Sequence, residues 1–124
     1  MAETVKLAVP TMGKAGLDAQ RSGHFGHCDC FTIIDIVDGE LTNVTELDNP
    51  PHEEGGCIAI VGLLQGVGVQ VIAAAGMGMR PMQGFANAGI AVYYDADHPT
   101  VGEVAQLVAK GKLPNMTSDQ ACQH

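Results

Sequence analysis

Tryptophan is absent from this 124-residue chain, and aromatic residues make up only 4% of it. The large aromatic anchors that often mark a protein-binding face are therefore missing. Cations are scarce as well: six Lys and Arg stand against fourteen Asp and Glu, for a formal net charge of −8. Nucleic-acid binding needs clustered basic residues on phosphates, so that class is excluded as an expectation. No apolar run reaches the length of a membrane span. The first residues, Met1-Ala2-Glu3-Thr4-Val5-Lys6, show no basic stretch followed by an apolar one, so no export signal is expected and the reading is cytoplasmic. Four cysteines in a reducing compartment favour metal or redox chemistry over a disulfide framework. No Ser/His/Asp arrangement, Walker loop or metallohydrolase helix motif is present, so the chain does not read as an enzyme.

What is present is apolar and glycine-rich: 46% hydrophobic residues and sixteen glycines, enough for one core with tight turns. Residues 5–9 (Val-Lys-Leu-Ala-Val) form a buried-strand pattern, with Pro10 expected to stop it. An irregular glycine-rich segment follows over 11–29. Residues 31–37 and 41–47 read as two strands joined by Asp38-Gly39, a dipeptide suited to a tight hairpin turn. After Pro50-Pro51 the pattern alternates: helix 57–66, strand 69–74, helix 80–88 with Pro81 in its first turn, strand 90–94, helix 100–110 capped by Gly111. Strand–helix alternation implies right-handed parallel crossovers, and the hairpin adds antiparallel strands. The expected architecture is α/β in three layers, with a mixed sheet of about five strands. One domain spans 1–113, and 114–124 forms a polar tail.

In such sheets ligands sit beyond the carboxyl ends of the parallel strands. The soft and borderline metal ligands gather in the connections at that end. His24, His27, Cys28 and Cys30 lie in or beside the first, His52 and Cys57 in the second, Met77 and Met79 in the third. Thiolate, thioether and imidazole donors suit copper(I), zinc and iron–sulfur chemistry rather than calcium or magnesium. Cys57 at a helix start would have its thiolate favoured by the helix dipole. Lys14, Arg21 and Arg80 fall in or beside these loops, so an anionic ligand is favoured within an acidic molecule. Each residue also has a structural alternative. A one-residue spacer in Cys28-Asp29-Cys30 is shorter than zinc sites use, and if residue 30 lies in a strand, alternation puts both cysteines on one face as core residues. Met77 and Met79 also read as gap-fillers. Gly76-Met77-Gly78 invites a dinucleotide reading, but Pro81 stands where the third glycine is needed; it reads better as a turn whose amides face an anion.

Several collinear runs carry a resemblance: Gly23-His24-Phe25-Gly26-His27, then Phe31-Thr32-Ile33-Ile34-Asp35-Ile36-Val37-Asp38-Gly39, then Asn49-Pro50, Val69-Gln70-Val71-Ile72-Ala73-Ala74-Ala75-Gly76-Met77-Gly78 and Ala88-Gly89-Ile90-Ala91-Val92-Tyr93. Together they resemble the dinitrogenase iron–molybdenum cofactor biosynthesis family, including its small orange-protein group. That resemblance implies a ribonuclease-H-like domain that carries or helps assemble an iron–molybdenum, iron–sulfur or molybdenum–copper sulfide cluster. It implies binding through the loop at 22–31 and the one at 51–57. With loops 21–30, 52–57 and 76–80 placed at one mouth, the residues expected to bind the cofactor are Arg21, Gly23, His24, Gly26, Met77, Gly78 and Arg80. The metal ligands expected are His24, His27, Cys28, Cys30, His52 and Cys57. Many members carry arginine after the Phe-Gly step and few cysteines; His27, Cys28, Cys30 and Cys57 depart from that pattern and favour direct ligation. A cofactor-assembly protein is the implied partner. The competing reading is a metal-free adaptor for a partner ATPase, and a small enzyme holding a phosphorylated ligand at Gly76–Arg80 is a third.

Overall fold

The computed structural model describes residues 4–22, 29–48, 56–74, 79–94 and 100–111, with the side chains of 56–60 and 79–81 left aside. Six strands and three helices follow in the order β1 (Thr4–Met12), β2 (Gln20–Arg21), β3 (Cys30–Val37), β4 (Glu40–Asp48), α1 (Gly56–Gly66), β5 (Val71–Ala74), α2 (Met79–Ala88), β6 (Ala91–Tyr94) and α3 (Val101–Ala109). The sheet runs β4-β3-β1-β5-β6, with β2 beside the end of β1. The β3 pairings on both sides are antiparallel, while β1–β5 and β5–β6 are parallel. The expected mixed sheet is therefore present, with one strand more than the sequence suggested.

β1 lies at the centre because it is apolar toward both faces: Leu7, Ala8 and Val9 are all fully buried. Strand alternation sorts the core into two clusters. Ala8, Phe31, Ile33 and Ile72 meet Val61 and Leu64 of α1 and Phe85 of α2. Leu7, Val9, Ile34 and Ile36 meet Val101, Val104 and Ala105 of α3. Two helices cover one face and one helix the other, giving the three layers.

Pro10 does not end β1, contrary to the sequence expectation. The carbonyl of Pro10 accepts from the Ser22 N–H at 2.8 Å. A strand residue turns its N–H and C=O to the same edge, so the missing donor of Pro10 faces β2 and leaves the β1–β3 ladder whole. The strand continues to Met12, and the segment expected to be irregular contains β2. The hairpin turn is as expected: Asp38 and Gly39 both adopt positive φ, 52° and 85°, the pattern of a type I′ turn. Beyond it β4 carries a bulge, since Asp35 pairs with Asn43 but Ile36 with Leu41; the odd residue, Thr42, donates its hydroxyl to the Asp35 carbonyl at 3.0 Å. Helix α3 opens on Thr100, whose hydroxyl accepts from the Glu103 N–H at 3.3 Å.

Residues 13–19 lie on the α3 face and lock onto that helix. The Val101 N–H donates to the Ala19 carbonyl at 2.9 Å, and the Gly102 N–H to the Leu17 carbonyl at 2.7 Å. The approach at Gly102 leaves no room for a side chain, because a Cβ there would sit 2.8 Å from the Leu17 carbonyl oxygen. At Gly62 of α1, by contrast, an added Cβ meets nothing within 4 Å. Gly102→Ala is therefore expected to destabilise by about 1–3 kcal/mol, whereas Gly62→Ala is expected to stabilise by about 0.5–1 kcal/mol through helix propensity. Urea denaturation midpoints check both, and the two shifts should have opposite signs.

Candidate functional site

The candidate loops are best located by their feet, which are held by the sheet. Ser22 donates its N–H to the Pro10 carbonyl at 2.8 Å, and Asp29 donates its own to the Thr11 carbonyl at 3.0 Å. Carbonyls of successive strand residues face opposite edges. The residues that flank segment 23–28 are therefore held on opposite sides of β1, Ser22 on the β2 side and Asp29 on the β3 side. The other connections begin alongside. Cys30 pairs with Thr11 on one side and Asp48 on the other, so the connection after β4 starts two strands from β1. β5 ends at Ala74 beside Tyr94, the last residue of β6. Five adjacent strands spaced about 4.8 Å apart span roughly 19 Å. All four connections thus leave one edge of the sheet within a patch of that width. α1 and α2 start from two of them, which directs the free N–H groups of their first turns to this edge.

Of the residues singled out from the sequence, Gly23, His24, Gly26, His27, Cys28, His52, Met77 and Gly78 lie outside the described residues. Their connections, though, are anchored as above. Cys57 is the second residue of α1 and Arg80 the second of α2, so both stand in first helical turns at this edge. Arg21 pairs with Thr11 through β2, is half-buried, and donates from a guanidinium nitrogen to the Ser22 carbonyl at 3.3 Å. Among the described residues no group of three or more His, Cys, Asp or Glu side chains stands together as a metal site.

Cys30 is the one candidate ligand whose side chain is described, and it is placed as a core thiol. It is 2% exposed, and its Sγ donates to the Gly13 carbonyl at 3.4 Å. Burial, reinforced by the carboxylates of Glu46, Asp29 and Asp48, pushes its pKa up to about 11. A thiol held protonated at neutral pH is a poor ligand, since metals take the thiolate.

Around Cys30 the structure reveals a clamp that the sequence reading passed over. The Asp29 carboxylate accepts from the Gly13 N–H at 2.7 Å, the Glu46 carboxylate from the Ala15 N–H at 3.1 Å, and the Thr32 hydroxyl from the Gly16 N–H at 3.3 Å. Thr32 is in turn 2.8 Å from the Thr11 hydroxyl, in the buried layer facing α3. Residues 13–16 are thereby fastened across β3 and β4, over Cys30. In the sequence Asp29 stands only as the spacer between two cysteines, and nothing singles out Glu46. Their partners lie sixteen and thirty-one positions away, so no local pattern reveals them.

Two measurements check the state of Cys30. A form retaining Cys30 as its sole cysteine is expected to react with iodoacetamide at pH 8 roughly 100-fold more slowly than free cysteine. Because folding raises this thiol's pKa, its contribution to stability is complete below pH 9 and fades as the pH rises through about 11. Stability should therefore fall more steeply between pH 9 and 11 in the parent protein than in Cys30→Ala.

Known proteins supply an independent comparison. The profile of the dinitrogenase iron-molybdenum cofactor family matches residues 5–111. An uncharacterized protein of Methanocaldococcus jannaschii is 30% identical over 112 residues, 88% of this chain and 89% of the relative. The apo orange protein of Desulfovibrio gigas superposes with a TM-score of 0.76 at 26% identity, covering 90% of this chain and 92% of that one. A NifB-like protein of Thermotoga does so with a TM-score of 0.73 at 27% identity and the same coverages, 90% and 92%. With a sheet whose connections converge at one edge and a family match over nearly all of its described length, the chain belongs to the dinitrogenase iron-molybdenum cofactor family.

Proposed function

We propose that this protein binds an anionic metal–sulfur cluster at the carboxyl edge of its sheet, and carries it or assists its assembly without transforming a substrate. The observation that carries the reading is the anchoring of segment 23–28 across the end of β1, beside the connections that lead to α1 and α2. Those connections and the first turn of α1 hold His24, His27, Cys28, His52 and Cys57, a donor set of thiolates and imidazoles suited to iron–sulfur, iron–molybdenum or molybdenum–copper chemistry. Cys57, in the first turn of α1, has the position that favours a thiolate. Arg21 and Arg80 stand at the same edge and offset cluster charge, while Gly23, Gly26, Met77 and Gly78 belong in sequence to the connections that start there. The described framework fits such a group as a scaffold: its loop ends are fixed and its interior is packed. Cys30 is left out of the ligand set because its thiol is turned onto Gly13 and kept protonated. Family membership supports a role in cofactor binding or biosynthesis, and hence a cofactor-assembly protein as the partner.

The test is anaerobic reconstitution of untagged protein with iron and sulfide, with or without molybdate or copper. Bound metal and a visible charge-transfer band are expected. The Cys28→Ser/Cys57→Ser double variant should lose at least about 90% of both, since ligand thiolates dominate such sites, while Cys30→Ser should keep them. Protons compete for the ligands, so metal should be released as the pH falls through their pKa values. Protein that stays colourless and metal-free in every mixture overturns the proposal.

A further inference from the structure

The two edges of the sheet differ in kind. β6, at one edge, is four residues long and half-buried throughout. β4, at the other, is nine residues long and exposed along most of its length. Among the described residues nothing pairs with its outer side. Its bulge lies at Thr42, close to the turn, so residues 43–48 form a regular run of strand. The direction of that run's hydrogen-bonding groups follows from Pro10. Because the Pro10 carbonyl is turned away from β3, its partner Phe31 faces β4, and alternation then directs Leu47, Thr45 and Asn43 inward. Val44, Glu46 and Asp48 are left with N–H and C=O groups pointing outward.

Exposed edges of this length are usually blunted by charged side chains, lysine above all, by proline, by bulges or by a covering segment. β4 contains neither lysine nor proline; its charged residues are Glu40, Glu46 and Asp48. Val44 is 37% exposed, and it shares the α3 face with Glu46 and Asp48. On that face, beside the first part of β4, opens a groove of about 450 Å³. Leu17, Leu41 and Leu107 give it apolar walls, and Asp18, Glu103 and Gln106 a polar, acidic rim. A second copy of the chain is a poor occupant. The antiparallel register that pairs the whole strand sets Glu40 against Asp48 at both ends, and like charges directly opposite are destabilising.

We infer that the outer edge of β4 is a docking site for an extended segment of another protein, which adds to the sheet as a further strand and carries lysine or arginine at alternate positions. Main-chain hydrogen bonds to Val44, Glu46 and Asp48 supply the affinity. Alternate basic side chains face Glu46 and Asp48, and a long aliphatic stem reaching past Val44 lies in the groove with its charge at Asp18 and Glu103. Asp48 immediately precedes the connection to α1, so such a partner would be seated beside the edge where the candidate loops begin. The site is built from described residues alone and does not depend on metal at that edge.

The experiment uses the full, metal-free chain and two synthetic eight-residue peptides, one alternating lysine with valine and the other glutamate with valine. Amide chemical shifts and hydrogen exchange are followed by NMR. The lysine peptide is expected to shift residues 43–48 and to slow exchange at Val44, Glu46 and Asp48, while the glutamate peptide binds at least about tenfold more weakly. Val44→Pro removes one outward donor without touching the β3 ladder and should weaken binding at least about tenfold. Asp48→Lys should narrow the preference between the two peptides at least threefold, roughly the effect of one rim charge; this readout holds even if the proline variant fails to fold. The proposal is overturned by an absence of β4 shifts up to about 1 mM peptide, by shifts confined to α1 and α2, or by a folded Val44→Pro variant that binds as the parent does.

Discussion

Two neighbouring carbonyls, those of Pro10 and Thr11, organise the part of the molecule that bears on function. They point to opposite edges of the central strand, and each receives an N–H from one foot of the same six-residue segment. Holding Ser22 and Asp29 on adjacent residues of β1 fixes the positions of these two ends before any ligand arrives. The anchorage works because β1 cannot shift. Leu7, Ala8 and Val9 are sealed between helices on both faces, so displacing the strand would disturb both halves of the core.

A second tier of bonds secures what lies beneath. Asp29 and Glu46 hold residues 13–16 across β3 and β4; the buried Thr11 hydroxyl donates to the Val9 carbonyl and accepts from Thr32, whose oxygen takes the Gly16 amide. Polar groups at this depth are tolerated because each has a partner. Cys30 belongs to this tier: its thiol donates to a carbonyl and stays neutral. The same strip of sequence, Cys28-Asp29-Cys30, therefore joins a candidate ligand position to a carboxylate that braces the neighbouring loop and a thiol that packs the interior.

The layers of the fold were legible because they rest on local pattern. The apolar run at 5–9, the Asp38-Gly39 turn and the alternating strands and helices after residue 56 each report their own conformation, and the expected helices agree with the observed ones to within about a residue at each end. Pro10 misled because its usual meaning assumes that the missing donor is needed; here the strand turns that position toward β2, where none is. β2 itself was invisible, since two residues carry no periodicity. At the site, the start of the connections at one end of the sheet was readable from the order of strands and helices. The role of Cys30 was not: strand alternation allowed a core cysteine or a ligand, and the choice is made by burial, by a carbonyl seventeen residues earlier and by the carboxylates of Glu46, Asp29 and Asp48.

The position of β1 also bears on how the chain acquires its structure. Its antiparallel neighbour, β3, begins well after it in sequence, and its parallel neighbour is joined by the bond from Gln70 to Lys6, sixty-four positions apart. Synthesised well before its parallel neighbour, β1 must wait with an open hydrogen-bonding side until residue 70 and those after it have been made. The β3–β4 hairpin, with its own type I′ turn, can assemble in the meantime and serve as the surface on which β1 settles. A polypeptide halted before residue 70 would therefore display the apolar middle of its central strand, a feature that chaperones recognise.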